Sequence, residues 1–255
     1  MRNADELRAL VEEYLADLAL TPELHAQADS VRYALVGGKR VRGVNCLATA
    51  EAAGADAEAA LPAGAALELV HAFSLVHDDL PALDNDAERR GRASVWAQYG
   101  EAVAVLAGDA LLAEAFRLTL SYPFPHAGRE LAQATLGMIG GQYLDITGTA
   151  SDAETLHKLK TGCLFAASVG LALWAAEVPE REQATWRAFG DELGLLFQIV
   201  DDILDGDGYV VTHGEDGARR LADDAAVRAR TRLAQVPADT SVLEDIVDGL
   251  ATRTS

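Results

Sequence analysis

The chain has 255 residues, half of them apolar and under a quarter charged, so it has enough apolar surface to fold and is not intrinsically disordered. Asp and Glu outnumber Lys and Arg by 40 to 21, a net charge of −19, which argues against non-specific nucleic-acid binding and against a polybasic membrane anchor. Only Cys46 and Cys163 are present, far apart and in no CxxC frame, as expected of reduced core thiols in an intracellular protein.

In chain order, Leu7, Leu10, Val11, Tyr14, Leu15 and Leu18 follow the three-and-four spacing of one helix face. The N-terminal stretch mixes charge with apolar residues and lacks the h-region of a secretory signal. Further helices are predicted over 27–36, 40–53, 57–80, 93–106, 107–121, 127–147, 152–176, 180–205, 214–235 and 239–251. Gly37-Gly38, Gly54, Pro123 to Pro125 and Gly206 to Gly208 punctuate them, and β-branched runs bounded by turn residues are almost absent. The apolar run Cys163 to Ala176 is shorter than the roughly 20 residues of a membrane span and reads as a buried helix. A helix without a polar face must be surrounded by others. The expectation is therefore a single all-α domain over 1–255, a large bundle with a central helix layer, without a membrane span and cytoplasmic.

Two acidic clusters end apolar helices. Asp78, Asp79, Asp84 and Asp86 follow the Leu67–Val76 run, and Asp201, Asp202 and Asp205 follow Leu193–Val200. Asp201 and Asp205, four apart, differ by about 40° around a helix and share a face. Asp78 and Asp84, six apart, share one only if the helix is interrupted, and Pro81 is a residue that interrupts it. Such clusters are either solvated helix ends or, since they repel and offer hard oxygens, sites for Mg²⁺ together with substrate phosphates. If the two helices lie side by side, the clusters face each other across a cavity mouth. The cations complement them: Lys39, Arg40 and Arg42 follow the Gly-Gly turn, Arg89, Arg90 and Arg92 follow the first cluster, and Lys160-Thr161-Gly162 opens the later apolar helix. In a strongly acidic chain these few sets can reverse the local field for an anionic ligand such as a diphosphate.

Six segments in order, GGKRVRG (37–43), HAFSLVHDDLPALDNDAERRGR (71–92), GEAVAVLAGDALL (100–112), GGQYLD (140–145), KTG (160–162) and FQIVDDILD (197–205), resemble the trans-isoprenyl diphosphate synthases of the polyprenyl synthetase family. The first aspartate motif, with two residues inserted, is similar to that of bacterial farnesyl and plant geranylgeranyl enzymes. The resemblance implies an all-α bundle of isoprenoid synthase type, a homodimer, in which an allylic diphosphate loses pyrophosphate and its cation alkylates isopentenyl diphosphate. It implies about three Mg²⁺ ions, held by Asp78, Asp79 and Asp84 and by Asp201, with Asp202 and Asp205 completing the second motif. It places Arg89 and Lys160 on the allylic diphosphate, and Lys39, Arg42, His71 and Arg90 on isopentenyl diphosphate; Thr161 and Gln198 turn oxygen dipoles to the allylic cation. Read from the residues alone, without the resemblance, His71 reads as a satisfied core histidine. Several Mg²⁺ ions and cations neutralise a departing pyrophosphate, and a dry apolar pocket guards the carbocation from water.

Phe73 precedes Asp78 by five residues, about 7.5 Å of helix, and is either plain core or a floor that limits product length. In the family a bulky residue there accompanies a C15 stop, so farnesyl diphosphate is the expected product and geranylgeranyl diphosphate the next. Three departures stand out: Gly43 and Arg92-Ala93-Ser94 replace the family's usual residues, and the segment after Asp205, GDGYVVTHGEDGARRLADD, carries no Lys where the family has two. Arg219 or Arg220 are the candidate substitutes. Terpene cyclisation or irregular condensation on the same fold, and a non-catalytic regulatory subunit, are the competing readings. The intact set Lys39, Arg42, His71 and Arg90 favours elongation, because a cyclase binds no isopentenyl diphosphate.

Overall fold

The computed structural model describes residues 1–150, 155–156 and 158–253. The predicted helix 152–176 begins partly outside these residues. An Asn3 cap, whose side chain accepts from the Asp5 and Glu6 amides while Glu6 returns a bond to the Asn3 amide, starts α1 (Ala4–Ala16). Then come α2 (Gln27–Leu35), α3 (Val41–Ala52) and α4 (Ala57–Asp78). The chain goes on through α5 (Val95–Tyr99), α6 (Glu101–Thr119) and α7 (His126–Thr147). A π-helical turn, Lys158–Gly162, leads into α8 (Cys163–Ala175). It is followed by α9 (Ala184–Asp205), α10 (Gly208–His213), α11 (Glu215–Leu233) and α12 (Ser241–Ala251). The all-α expectation holds. Among the described residues the only strands are the pairs β1 (Glu88–Arg89) and β2 (Arg92–Ala93), a hairpin closed by Arg90 and Gly91, both at positive φ.

Three predicted boundaries move, each for a local reason. The expected break at 106/107 does not occur. Nothing there interrupts a helix, whereas Gly100, at φ 90°, ends α5 and begins α6. The helix predicted over 57–80 stops at Asp78, where the chain turns at Leu80 to Asn85. Residues 208–213, left between the predicted helices 180–205 and 214–235, form the short α10.

One continuous apolar cluster runs from Leu7 to Leu250. At its centre, α8 has Leu164 to Leu173 buried apart from Ala166, as its lack of a polar face requires. α3, α7 and α9 surround it, and α4 lies between α3 and α6. By length and apolar composition α4 alone among the described helices could cross a membrane, but most of it is buried inside the bundle. Both cysteines are free, Cys46 buried and Cys163 half-buried.

Candidate active site

The C-terminal ends of α4 and α9 converge on a cavity of about 1310 Å³. Its apolar lining includes Phe73, Leu112, Met138, Ile139, Leu164 and Phe197. Its rim carries Asp78, Asp201, Lys39, Arg42, His71, Arg89, Arg90, Lys160 and Thr161. The structure thus brings both acidic clusters and all the basic sets to one opening.

Helix phase decides which carboxylates face it. Successive residues differ by about 100°, so of two adjacent aspartates only one can share the cavity face. Asp78 lies one turn beyond Ser74, and Asp201 one turn beyond Phe197; all four line the cavity. Asp79 and Asp202, which the resemblance counts in the two metal motifs, do not line the cavity. Asp79, 2% exposed, accepts from Arg89 Nε at 3.0 Å. Asp202 accepts from Gln198 Nε2 at 2.6 Å and from the Tyr209 amide at 2.8 Å. Gln198 therefore does not line the main cavity. It borders a smaller one of about 250 Å³ with Lys158, Cys163, Asp191 and Tyr209. Asp205 is exposed at the end of α9.

The turn after α4 restores what the six-residue spacing denied. The Asp84 amide donates to the Asp78 carbonyl at 2.9 Å, and Leu83 and Asn85 both donate to Leu80, so Pro81 and Ala82 loop out. Asp84 is exposed, close enough that its charge disfavours ionisation of Asp78. Burial, reinforced by Asp84 and Asp79, pushes the Asp78 carboxyl up to about 6, against the pull of Lys160 and Arg89. Burial, with Asp205, likewise raises Asp201.

On the basic side, the hairpin turn carries Arg90 back to the Gly37 carbonyl, to which its Nη1 donates at 2.9 Å. A Cβ on Gly38 would lie 2.8 Å from that guanidinium, and Gly38 has φ 111°, so only glycine fits. Arg42, 9% exposed, stacks over Phe165 at 4.6 Å, and its Nε has no hydrogen-bond partner among the described residues. Burial lowers its guanidinium from the ordinary value, opposed by Glu68 and Asp201; a bound anion would offset the same cost. Burial and four neighbouring arginines hold His71 well below its usual range, hence neutral at pH 7. Phe73, 8% exposed on the cavity wall, meets the His77 ring edge-on at 4.9 Å.

Several residues escaped the sequence reading. Lys160 donates to Asp145, which the GGQYLD segment had contained without marking. The π-turn that precedes α8 sets Lys160 and Thr161 against the cavity, close to Gly141 of α7. Arg253 lines the cavity, 3.6 Å from Asp201. Arg219 and Arg220 do not line it, and Arg219 pairs with Glu215 instead. Nothing in the sequence near Arg253 signals this, because its partner is set by the docking of α12 beside α9.

Among the described residues no three His, Cys, Asp or Glu side chains form a protein-only metal cage. The donor set still fits Mg²⁺. That ion keeps several waters and usually takes one or two carboxylates plus phosphate oxygens, and Asp78 and Asp201 on the cavity, with exposed Asp84 near Asp78, are hard-oxygen donors of that kind.

The family model for polyprenyl synthetase matches residues 25–224. The chain is 42% identical over 193 residues to a geranylgeranyl diphosphate synthase of Cyanophora paradoxa, covering 69% of this chain and 64% of that one. To a farnesyl diphosphate synthase of Bacillus subtilis it is 39% identical over 195 residues, covering 70% and 66%. The chain thus spans just under two thirds of the length of these relatives. The solved structure of an FPP/GFPP synthase from Zymomonas mobilis superposes with a TM-score of 0.84 at 32% identity, over 97% of this chain and 99% of that one.

Proposed function

The chain belongs to the polyprenyl synthetase family, and on that premise we propose that it is a Mg²⁺-dependent prenyltransferase. It condenses an allylic diphosphate with isopentenyl diphosphate to a short prenyl diphosphate, farnesyl first and geranylgeranyl second. The observation that carries this reading is a single apolar cavity lined by carboxylates from two helix ends and by cations from four segments.

In this reading Asp78, Asp84 and Asp201 hold Mg²⁺, which when bound neutralises the charge that develops on the departing diphosphate. Asp79 acts through Arg89, whose guanidinium it fixes. Arg89 and Lys160 grip the allylic diphosphate. Lys39, Arg42, His71 and Arg90 bind isopentenyl diphosphate, and the neutral imidazole of His71 can donate a hydrogen bond without adding charge. Thr161 turns its hydroxyl toward the cation, while Gln198 and Asp202 brace the end of α9 and Asp205 adds charge at its exposed tip. Phe73 and the apolar wall exclude water from the cation and stop the growing tail.

We read residues 1–255 as one domain, supported by the continuous core, and the protein as a cytoplasmic homodimer. Exposed Leu106 on α6 and Leu136, Ile139, Tyr143 and Ile146 on α7, spaced by three and four, support the dimer as an apolar face wanting cover.

The test is purified protein with Mg²⁺, labelled isopentenyl diphosphate, and dimethylallyl, geranyl or farnesyl diphosphate in turn. Elongated product with a C15 maximum is expected. No elongation from any starter rejects the reading.

A further inference from the structure

Two carboxylates near the basic rim have no part in the reaction above. Glu68 lies on the cavity wall, 3% exposed and one turn before His71 on α4. Its Oε1 accepts the Gly43 amide at 2.8 Å, one of the donors that the first turn of α3 leaves without a helical partner. Its Oε2 is 3.8 Å from Arg40 Nη1. Arg40 heads α3 in the left-handed region, at φ 52° and ψ 30°, a conformation that a non-glycine side chain keeps only when its surroundings hold it there. They do hold it: Arg40 donates to Glu12 of α1 from Nε at 2.8 Å and from Nη2 at 3.3 Å, and to the Leu35 carbonyl. Arg40 also borders the cavity, but its guanidinium is 3% exposed and its donors go to these partners.

We propose that the ion chain Glu12–Arg40–Glu68 is a positioning device for the site taken by the non-allylic diphosphate. It locks the turn at Arg40, so that Lys39 on one side and Arg42 on the other meet the cavity in a fixed geometry. It also places one buried negative charge among Arg40, Arg42 and Arg90, which would otherwise repel one another. Glu68 opposes the burial cost of both Arg42 and Arg90, and Glu12 that of Arg90. The identification of the diphosphate rests on the function proposed above; the device itself rests on the geometry.

The decisive variant is Glu12→Gln. Its side chain is 43% exposed, so the substitution removes the charge without opening a cavity. In the elongation assay it should raise KM for isopentenyl diphosphate by about tenfold, with kcat and KM for the allylic diphosphate within about twofold. Arg40→Lys, which loses the bidentate fork but keeps the charge, should show the same split. A merely structural ion pair would lower the melting temperature and leave both KM values alone, or move them together; either outcome overturns the proposal. A second measurement separates this inference from the assigned reaction: calorimetric titration of inorganic pyrophosphate into wild type and Glu12→Gln, with EDTA present. Weaker pyrophosphate binding by the variant in a protein that never elongates would keep the device and reject the reaction. Equal binding, or no binding by wild type, rejects the device.

Discussion

Asp78 is where burial, charge and metal affinity meet in one side chain. Its carboxyl, raised to about 6, makes the metal-free fold bind a proton that the unfolded chain releases near pH 4. Stability contributed by this group therefore falls as pH rises from about 4 to 6, and the deficit persists above 6. Asp78→Asn removes the charge. It should raise the melting temperature at pH 7.5 by about 2–4 °C, on the order of 1 kcal/mol after allowing for water at the cavity mouth, and leave it unchanged at pH 4. The same variant should lose at least about 100-fold in turnover. A melting temperature at pH 7.5 equal to or below that of wild type would show that the carboxylate is not strained by its surroundings. Phe73 supplies a second residue-scale test. Truncating it to Ala opens the wall beside His77, so the product distribution, read by chromatography of the dephosphorylated alcohols, should shift toward C20. An unchanged distribution removes Phe73 as the floor.

At the scale of elements, the approach of α7 to the π-turn sets where Lys160 stands. A Cβ at Gly141 would lie 2.5 Å from the Lys160 amide nitrogen and 2.8 Å from its Cα, and backbone atoms cannot step aside as a side chain can. Gly141→Ala should therefore cost about 1–3 kcal/mol and lower kcat/KM for the allylic substrate. Gly140→Ala, with nothing within 4 Å of the added methyl, is its control: it should gain about 0.5–1 kcal/mol from helix propensity and leave kinetics unchanged. Denaturant midpoints and initial rates of the pair test the contact directly; equal behaviour would refute it. Neither this packing nor the break at Gly100 was evident from the pattern of apolar residues, because the first depends on what Gly141 faces and the second on a backbone conformation at φ 90°. The helices themselves were legible, since Leu7, Val11 and Leu15, or the run Leu164 to Leu173, can bury their side chains in no other way.

Across the whole molecule, the motifs told which segments meet but not how each aspartate is phased. That Asp78 and Asp201 face the cavity while Asp79 and Asp202 brace Arg89 and Gln198 follows from which face α4 and α9 each turn to it, a property of the assembled bundle. Arg253 reached Asp201 by the same route, through the docking of α12. The exposed face of α7 belongs to this scale too. Ile139, Tyr143 and Ile146 line the cavity and are also largely exposed, so a second copy seated on α6 and α7 would cover them and close the cavity wall from outside. In the proposed homodimer, assembly and a dry pocket would then be one requirement. Light scattering on the eluted protein should give twice the chain mass. Tyr143→Glu, a charge on that face, should yield monomer and at the same time lower elongation by about tenfold or more, because water gains access to the cation. A monomeric variant with full turnover would mean that one chain encloses its substrate unaided, and the link between assembly and catalysis would fail.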